Sequence, residues 1–162
     1  MARICLGLLV LALIVVVSRA TKVTHCESNE PLKDDTVQIA DCEDPPCQLK
    51  KGTDVNILYR FTPEQDVHSL KLSVQASMLF GITLPFIGVD GSDICDKIYL
   101  ASETDQKVAC PLAQGVDYIY KDSFPIKSYY PSISTTVYWA LMNDWTSVTC
   151  FQVPAEIVSS SS

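Results

Sequence analysis

Two histidines, a run of aspartates and seven cysteines are the residues whose chemistry could give this chain an activity. His25 stands beside Cys26, and His68 lies in the polar stretch Gln65-Asp66-Val67-His68-Ser69. Either imidazole could serve as a general base. The chain contains no G-x-S-x-G, H-E-x-x-H, G-x-x-x-x-G-K-[ST] or G-x-G-x-x-G. Both histidines therefore read as exposed side chains, and no catalytic residue is assigned. Asp90, Asp93 and Asp96 do not follow the order of a calcium-binding loop and read as solvated loop carboxylates. Zinc is a poor fit, because the cysteines form no C-x-x-C pair and two histidines are all the chain offers. No metal or cofactor is expected. Tyr129 and Tyr130 could stack on bases, but Lys121 and Lys127 are the only basic residues close by in the sequence. The net charge of -7 points the same way, away from nucleic acid and towards plain solubility.

The cysteines point to structure rather than thiol chemistry. Residues 1–20 read as a secretory signal, with Arg3, the apolar run Ile4 to Val17 and the small-x-small end Ser18-Arg19-Ala20. That run is shorter than the roughly 18 residues of a membrane span. Cys5 leaves with the signal, and so do Arg3 and Arg19, which makes the mature chain more acidic. Cys26, Cys42, Cys47, Cys95, Cys110 and Cys150 remain, and an even number in a secreted chain implies disulfides. Six cysteines allow fifteen pairings. The turn Glu43-Asp44-Pro45-Pro46 suits a local bridge between Cys42 and Cys47. Cys26 and Cys150 stand near the two ends of the domain, where a bridge would close most of the chain. Cys95 and Cys110 would then be left to pair.

The elements that must position these residues are strands. Val55, Ile57, Tyr59 and Phe61 alternate with Asn56, Leu58 and Arg60; Leu70, Leu72, Val74 and Ala76 alternate with Lys71, Ser73 and Gln75. Ile133, Thr135, Val137, Trp139 and Leu141 share one face of a third such run. A period of two with β-branched and aromatic residues predicts half-buried strands. Val116–Tyr120 and Ser147–Val158 predict two more. About seven short strands separated by turn residues, with no helical period, predict an all-β immunoglobulin-like β-sandwich over residues 21–158. Residues 159–162 form a frayed serine tail.

Two apolar segments do not fit a plain core strand. Phe80 to Ile87 and Phe124-Pro125-Ile126 are strongly hydrophobic, and proline interrupts both. Such residues can close a core, or they can line a cavity between sheets splayed at one end. Periodicity leaves both open.

The ordered set of motifs resembles the Niemann-Pick type C2 family of ML (lipid-recognition) domains. It comprises the cysteine layout with Cys42-x4-Cys47-x-Leu49-x-Lys51-Gly52, the segment Gly81-Ile82-Thr83-Leu84-Pro85-Phe86, the segment Pro125-Ile126-Lys127-x-x-Tyr130-Pro131-Ser132-Ile133, Trp139, and Cys150-Phe151-Gln152-Val153-Pro154. The resemblance covers Val23 to Val158. It implies a sandwich with disulfides Cys26–Cys150, Cys42–Cys47 and Cys95–Cys110 and a ligand tunnel between the sheets. It implies a secreted, monomeric, non-enzymatic carrier of a sterol, fatty acid or other hydrophobic molecule. Such a carrier touches a membrane or receptor transiently to pass on its ligand.

Matched position by position, the resemblance puts Phe86 at an aromatic gate, and Ile126, Tyr130 and Pro131 at the mouth. Leu79, Leu84, Ile133 and Trp139 form the wall. Related arthropod proteins include mite allergens and carriers of chemical signals or fatty acids. Capture of microbial lipids in innate immunity is the alternative reading. Two departures stand out. The loop between Cys95 and Cys110 is longer than in the vertebrate carriers. The mature chain also lacks an N-x-[ST] sequon, since Asn29, Asn56 and Asn143 lack the hydroxyl residue. Secretion is therefore expected over glycan-directed delivery to lysosomes.

Overall fold

The structure is a computed structural model, and it describes residues 20–32, 36–78 and 81–159. Leu79, the signal segment 1–19 and the tail residues 160–162 lie outside the described residues. Among the described residues, eleven strands follow one another: β1 Thr24–His25, β2 Val37–Ile39, β3 Cys47–Lys50, β4 Asp54–Phe61, β5 Lys71–Ser77, β6 Thr83–Pro85, β7 Ile98–Leu100, β8 Lys107–Val108, β9 Tyr118–Pro125, β10 Ser134–Asn143 and β11 Thr146–Val158. No helix among these residues is long and apolar enough to cross a membrane.

The long strands lie where alternation predicts them. In β4, Val55, Ile57, Tyr59 and Phe61 are buried, and in β5 Leu72, Val74 and Ala76 are. In β10, Thr135, Val137, Trp139 and Leu141 turn inward together. The additional strands are two to four residues long, too short to show a period. One boundary differs from expectation. Val116 lies outside β9, and the strand runs on through Lys121-Asp122-Ser123. Those polar residues carry no apolar alternation. Asp122 is held instead by side chains, accepting hydrogen bonds from Lys97 Nζ and Tyr120 Oη at 2.7 Å each.

The strands form two sheets. One has the order β1-β11-β10-β5-β6, with β3 added parallel along β11; the other has the order β2-β4-β9-β7-β8. Pro154 lies inside the thirteen-residue β11. β1 pairs with Phe151 and Gln152, and β3 pairs from Ala155 onward, so Pro154 falls in the gap between them. A residue without an N–H is tolerated there.

Aromatic rings join the sheets. Tyr59 of β4 meets Phe151 of β11 edge-on at 5.1 Å, and Phe124 of β9 lies 5.0 Å from Trp139 of β10. Tyr59 Oη and Thr149 Oγ1 share a hydrogen bond of 2.5 Å across the interface. Burial raises the Tyr59 phenol to a pKa of about 12. The three disulfides are Cys26–Cys150, Cys42–Cys47 and Cys95–Cys110. The first fastens the segment after β1 to β11. The second ties the turn after β2, in one sheet, to the start of β3, in the other.

Candidate functional site

The two proline-interrupted segments meet at one end of the sandwich. The first leaves β5 through a turn closed by Met78 and Ile82, with Gly81 at φ 73. A left-handed residue is needed there, and glycine adopts it without a Cβ clash. The chain returns as β6 on the edge of the sheet, Leu84 opposite Ala76. Pro85 is tolerated because, among the described residues, no strand pairs with β6 on its far side. Phe86 N then donates to Val74 O at 2.9 Å. Asp90 Oδ1 accepts from Val74 N at 2.7 Å, so the turn after Phe86 is clamped to β5 from both sides. That contact accounts for Asp90, and Asp93 Oδ1 accepts from Cys95 N at 3.0 Å. Both aspartates serve backbone amides rather than an open carboxylate cluster. His25 Nδ1 likewise accepts from Glu27 N at 3.3 Å, and His68 is exposed.

The second segment leaves β9 at Pro125. Ile126 N donates to Thr53 O at 2.8 Å, and Gly52 N donates to Ile126 O at 2.6 Å. These bonds pin Ile126 into the core at 1 % exposure. The chain then turns at Lys127–Tyr130. Tyr130 packs edge-on against Phe86 at 5.7 Å, and its hydroxyl donates to Ile87 O at 2.9 Å. Burial, then the neighbouring Tyr129, push the Tyr130 pKa up, so the phenol stays a neutral donor.

Between the two segments lies a surface cavity of about 320 Å³, walled by Leu84, Pro85, Phe86, Ile87, Tyr129, Tyr130, Pro131 and Ile133, with Ala76, Met78 and Ile157 beneath. That volume reaches the lower end of the 300–1,000 Å³ range of small-molecule sites. A second, narrower cavity lies between the sheets and holds about 20 Å³. It is walled by Phe86, Val74, Phe124, Val137, Trp139, Phe151 and other apolar side chains. Its small size has a plain cause: the rings of Phe124, Trp139 and Phe151 occupy the space between the sheets. Phe86, at 5 % exposure, belongs to both walls.

Leu84, Phe86, Tyr130, Pro131 and Ile133 thus gather around the outer cavity, and Phe86 and Trp139 around the inner one. Ile126 lines neither; its backbone bonds to the Gly52 turn draw it into the core. Leu79 lies outside the described residues. The outer wall also includes Ala76, Met78, Pro85, Ile87, Tyr129 and Ile157, which the sequence reading did not name as site residues. Ile87 falls within an apolar segment already singled out, so composition alone could have included it. Neither wall contains a carboxylate, imidazole, amine or guanidinium. Such a site offers apolar contact, aromatic edges and the two tyrosine hydroxyls of Tyr129 and Tyr130.

The sequence profile of the ML domain matches residues 20–157. The chain belongs to the ML domain family. Among its relatives in that family is the bovine (Bos taurus) NPC intracellular cholesterol transporter 2, 30% identical over 122 residues, which span 75% of this chain and 74% of the relative. The ecdysteroid-regulated 16 kDa protein of Manduca sexta is 30% identical over 111 residues, spanning 68% and 70%. The crystal structure of a Niemann-Pick type C2 protein from the Japanese carpenter ant superposes with a TM-score of 0.63 at 22% identity, over 86% of this chain and 95% of that one. At that identity the superposition shows the shared fold.

Proposed function

We propose that this ML domain is a secreted carrier that takes up one apolar molecule through the mouth formed by Phe86 and Tyr130. It holds that molecule partly between its sheets and releases it unchanged, with no bond made or broken. The observation that carries this reading is the position of Phe86 as the shared wall of the outer and inner cavities. Swinging that ring aside joins the two, so an extended ligand can pass from the mouth towards Trp139. The driving force is removal of apolar surface from water, about 25 cal/mol per Å². A sterol, fatty acid or similar chain supplies that surface. The bovine relative, named as a cholesterol transporter, supports this class of ligand.

The rim supports a transient docking step. Leu84, Ile87 and Tyr129 are exposed together around the mouth. Such a ring would lie against a membrane or acceptor while the ligand crosses. Capture of phosphate-bearing microbial lipid is less well served. Lys121 Nζ is engaged by Thr104 O at 2.6 Å and sits over the Tyr99 ring, and neither cavity wall has a cation. Native mass spectrometry of the chain purified from its own tissue, followed by extraction, tests the reading. The expected result is one neutral or singly charged lipid per chain. Protein that carries no lipid and binds none from a sterol and fatty-acid panel would overturn it.

A further inference from the structure

Trp145 is 97 % exposed at the tip of the β10–β11 hairpin. Asn143 pairs with Thr146, so Asp144 and Trp145 alone make the turn. Asp144 takes the left-handed conformation there, at φ 53. Neither the turn nor the core calls for a tryptophan: tight hairpin turns favour Asn, Asp and Gly, and this indole lies outside the core. Leaving so large an apolar ring in water is unfavourable, and tryptophan is among the residue types most enriched in the anchors of protein interfaces. The tip is also firmly held. Ser69 N donates to Asn143 Oδ1 at 3.3 Å, and Ser69 Oγ donates to Asp144 Oδ1 at 3.1 Å. The segment before Ser69 is fixed in turn, since Val67 and Leu112 exchange backbone hydrogen bonds of 2.9 Å and Gln114 N donates to Asp66 Oδ1 at 2.9 Å. Beside the tip lies a groove of about 260 Å³, with Glu64, Asp66, Val67, Asn143, Thr146 and Ser147 in its wall. Among the described residues that wall carries two carboxylates and no cation. Lys71 and His68 are exposed on the approach to β5 and line no part of it. Asp144 adds a third carboxylate in the turn itself.

We propose that this end of the sandwich is a docking surface for a partner protein that presents an arginine. Trp145 supplies an open ring face for the guanidinium, and Glu64 and Asp66 supply carboxylates within the adjoining groove. Arginine suits this pairing better than lysine, because its planar fork stacks on an aromatic face and meets a carboxylate with two parallel hydrogen bonds. Charge selects the occupant. A second copy of the chain would bring the same carboxylates to the contact, and like charges facing one another are costly. An anionic membrane surface is disfavoured for the same reason. The surface is also distinct from the lipid mouth. Ile133 borders the mouth just before β10 begins, and Trp145 follows the end of that ten-residue strand. At roughly 3.3 Å per residue the two lie about 30 Å apart. A partner docked on Trp145 therefore leaves the mouth uncovered, and this inference stands whether or not the carrier reading does.

The test titrates a short acetylated glycine-arginine peptide, and its lysine and glutamate counterparts, into the isotope-labelled chain. The indole N–H resonances and the backbone amides of Glu64 and Asp66 are followed. The arginine peptide should move the Trp145 indole and both amides in a saturable way. Trp139, 2 % exposed, is the internal reference and should stay still. The lysine peptide should bind more weakly and the glutamate peptide not at all. Trp145→Ala, read through the two amides, should lower arginine-peptide affinity about two- to fivefold. Glu64→Gln combined with Asp66→Asn, read through the Trp145 indole, should weaken binding further. Asp41→Asn combined with Glu43→Gln removes the same charge from exposed positions outside the groove and should change nothing. An unmoved Trp145 indole, full affinity in Trp145→Ala, or equal weakening by the two charge-removing pairs would overturn the inference. So would a Trp145 resonance that moves with protein concentration alone, which marks a second copy as the occupant. A stronger response to phosphatidylcholine vesicles than to the arginine peptide would overturn it in favour of a membrane.

Discussion

Tyr130 braces Phe86 by two contacts at once: its ring meets the Phe86 ring edge-on at 5.7 Å, and its hydroxyl donates to the carbonyl of Ile87, the next residue, at 2.9 Å. The contact between Tyr130 and Ile87 spans 43 positions of sequence and joins the two proline-interrupted segments. Where Phe86 sits therefore depends on Tyr130, and Phe86 lines both the outer and the inter-sheet cavity.

Truncating either ring should weaken lipid binding. Phe86→Ala and Tyr130→Ala each remove apolar contact worth about 1–2 kcal/mol at the mouth, a loss of roughly tenfold or more in affinity. Each truncation also removes buried contact and should cost a few kcal/mol of stability, while the three disulfides and the remaining core keep the fold. Dye displacement alongside circular dichroism checks this. Two folded variants that bind as wild type does would remove Phe86 and Tyr130 from the site.

Tyr130→Phe isolates the hydroxyl. It keeps the ring contact and deletes a hydrogen bond of about 1 kcal/mol. The brace on the Ile87 turn loosens, so ligand should leave a few times faster while the melting temperature falls only slightly. Stopped-flow release of bound dye measures the rate.

Asp90→Ala should destabilise the fold by about 1–3 kcal/mol, because the buried Val74 N–H loses its acceptor. Urea unfolding gives the magnitude. Calcium that raised the melting temperature of wild type, and not of Asp90→Ala, would show that the carboxylate serves a metal instead.

Stability should fall in alkali above the ordinary tyrosine range. Burial raises Tyr59 from 10.0 to about 12, so the unfolded chain loses this proton first as pH rises. The stabilisation is complete below pH 10 and is lost between about 10 and 12. Tyr120 is shifted the same way, by burial and then by Asp122. Urea midpoints measured across this window should drop, and Tyr59→Phe should flatten part of the slope.

Opening Cys26–Cys150 should cost more than opening Cys42–Cys47. The first closes a separation of 124 residues and the second a separation of 5. On the chain-entropy account the long closure contributes about 4–5 kcal/mol. Paired Cys→Ala variants compared by thermal unfolding test the order.

Much of this could be read without coordinates. Tyr59, Val74 and Trp139 face inward because alternation along a pleated strand assigns each side chain to a face, and that rule is local. The cysteines and the apolar segment ending at Phe86 marked the chemistry as structural and hydrophobic. Ile126 shows where the reading stops: the family pattern put it at the mouth, but its hydrogen bonds to the Gly52 turn pull it into the core. Ile157 was missed because nothing in its neighbours along β11 signals that it borders a cavity.

The amino-acid sequence alone determined the inward faces of the long strands, the disulfide-bonded character and the two proline-interrupted apolar segments, because each follows from residue type and short-range spacing. The tertiary structure alone decided that Phe86 lines two cavities, that Tyr130 packs against it, and that Ile126 is drawn into the core. Those outcomes depend on how segments distant in sequence pack against one another, and packing geometry is not encoded in any local period.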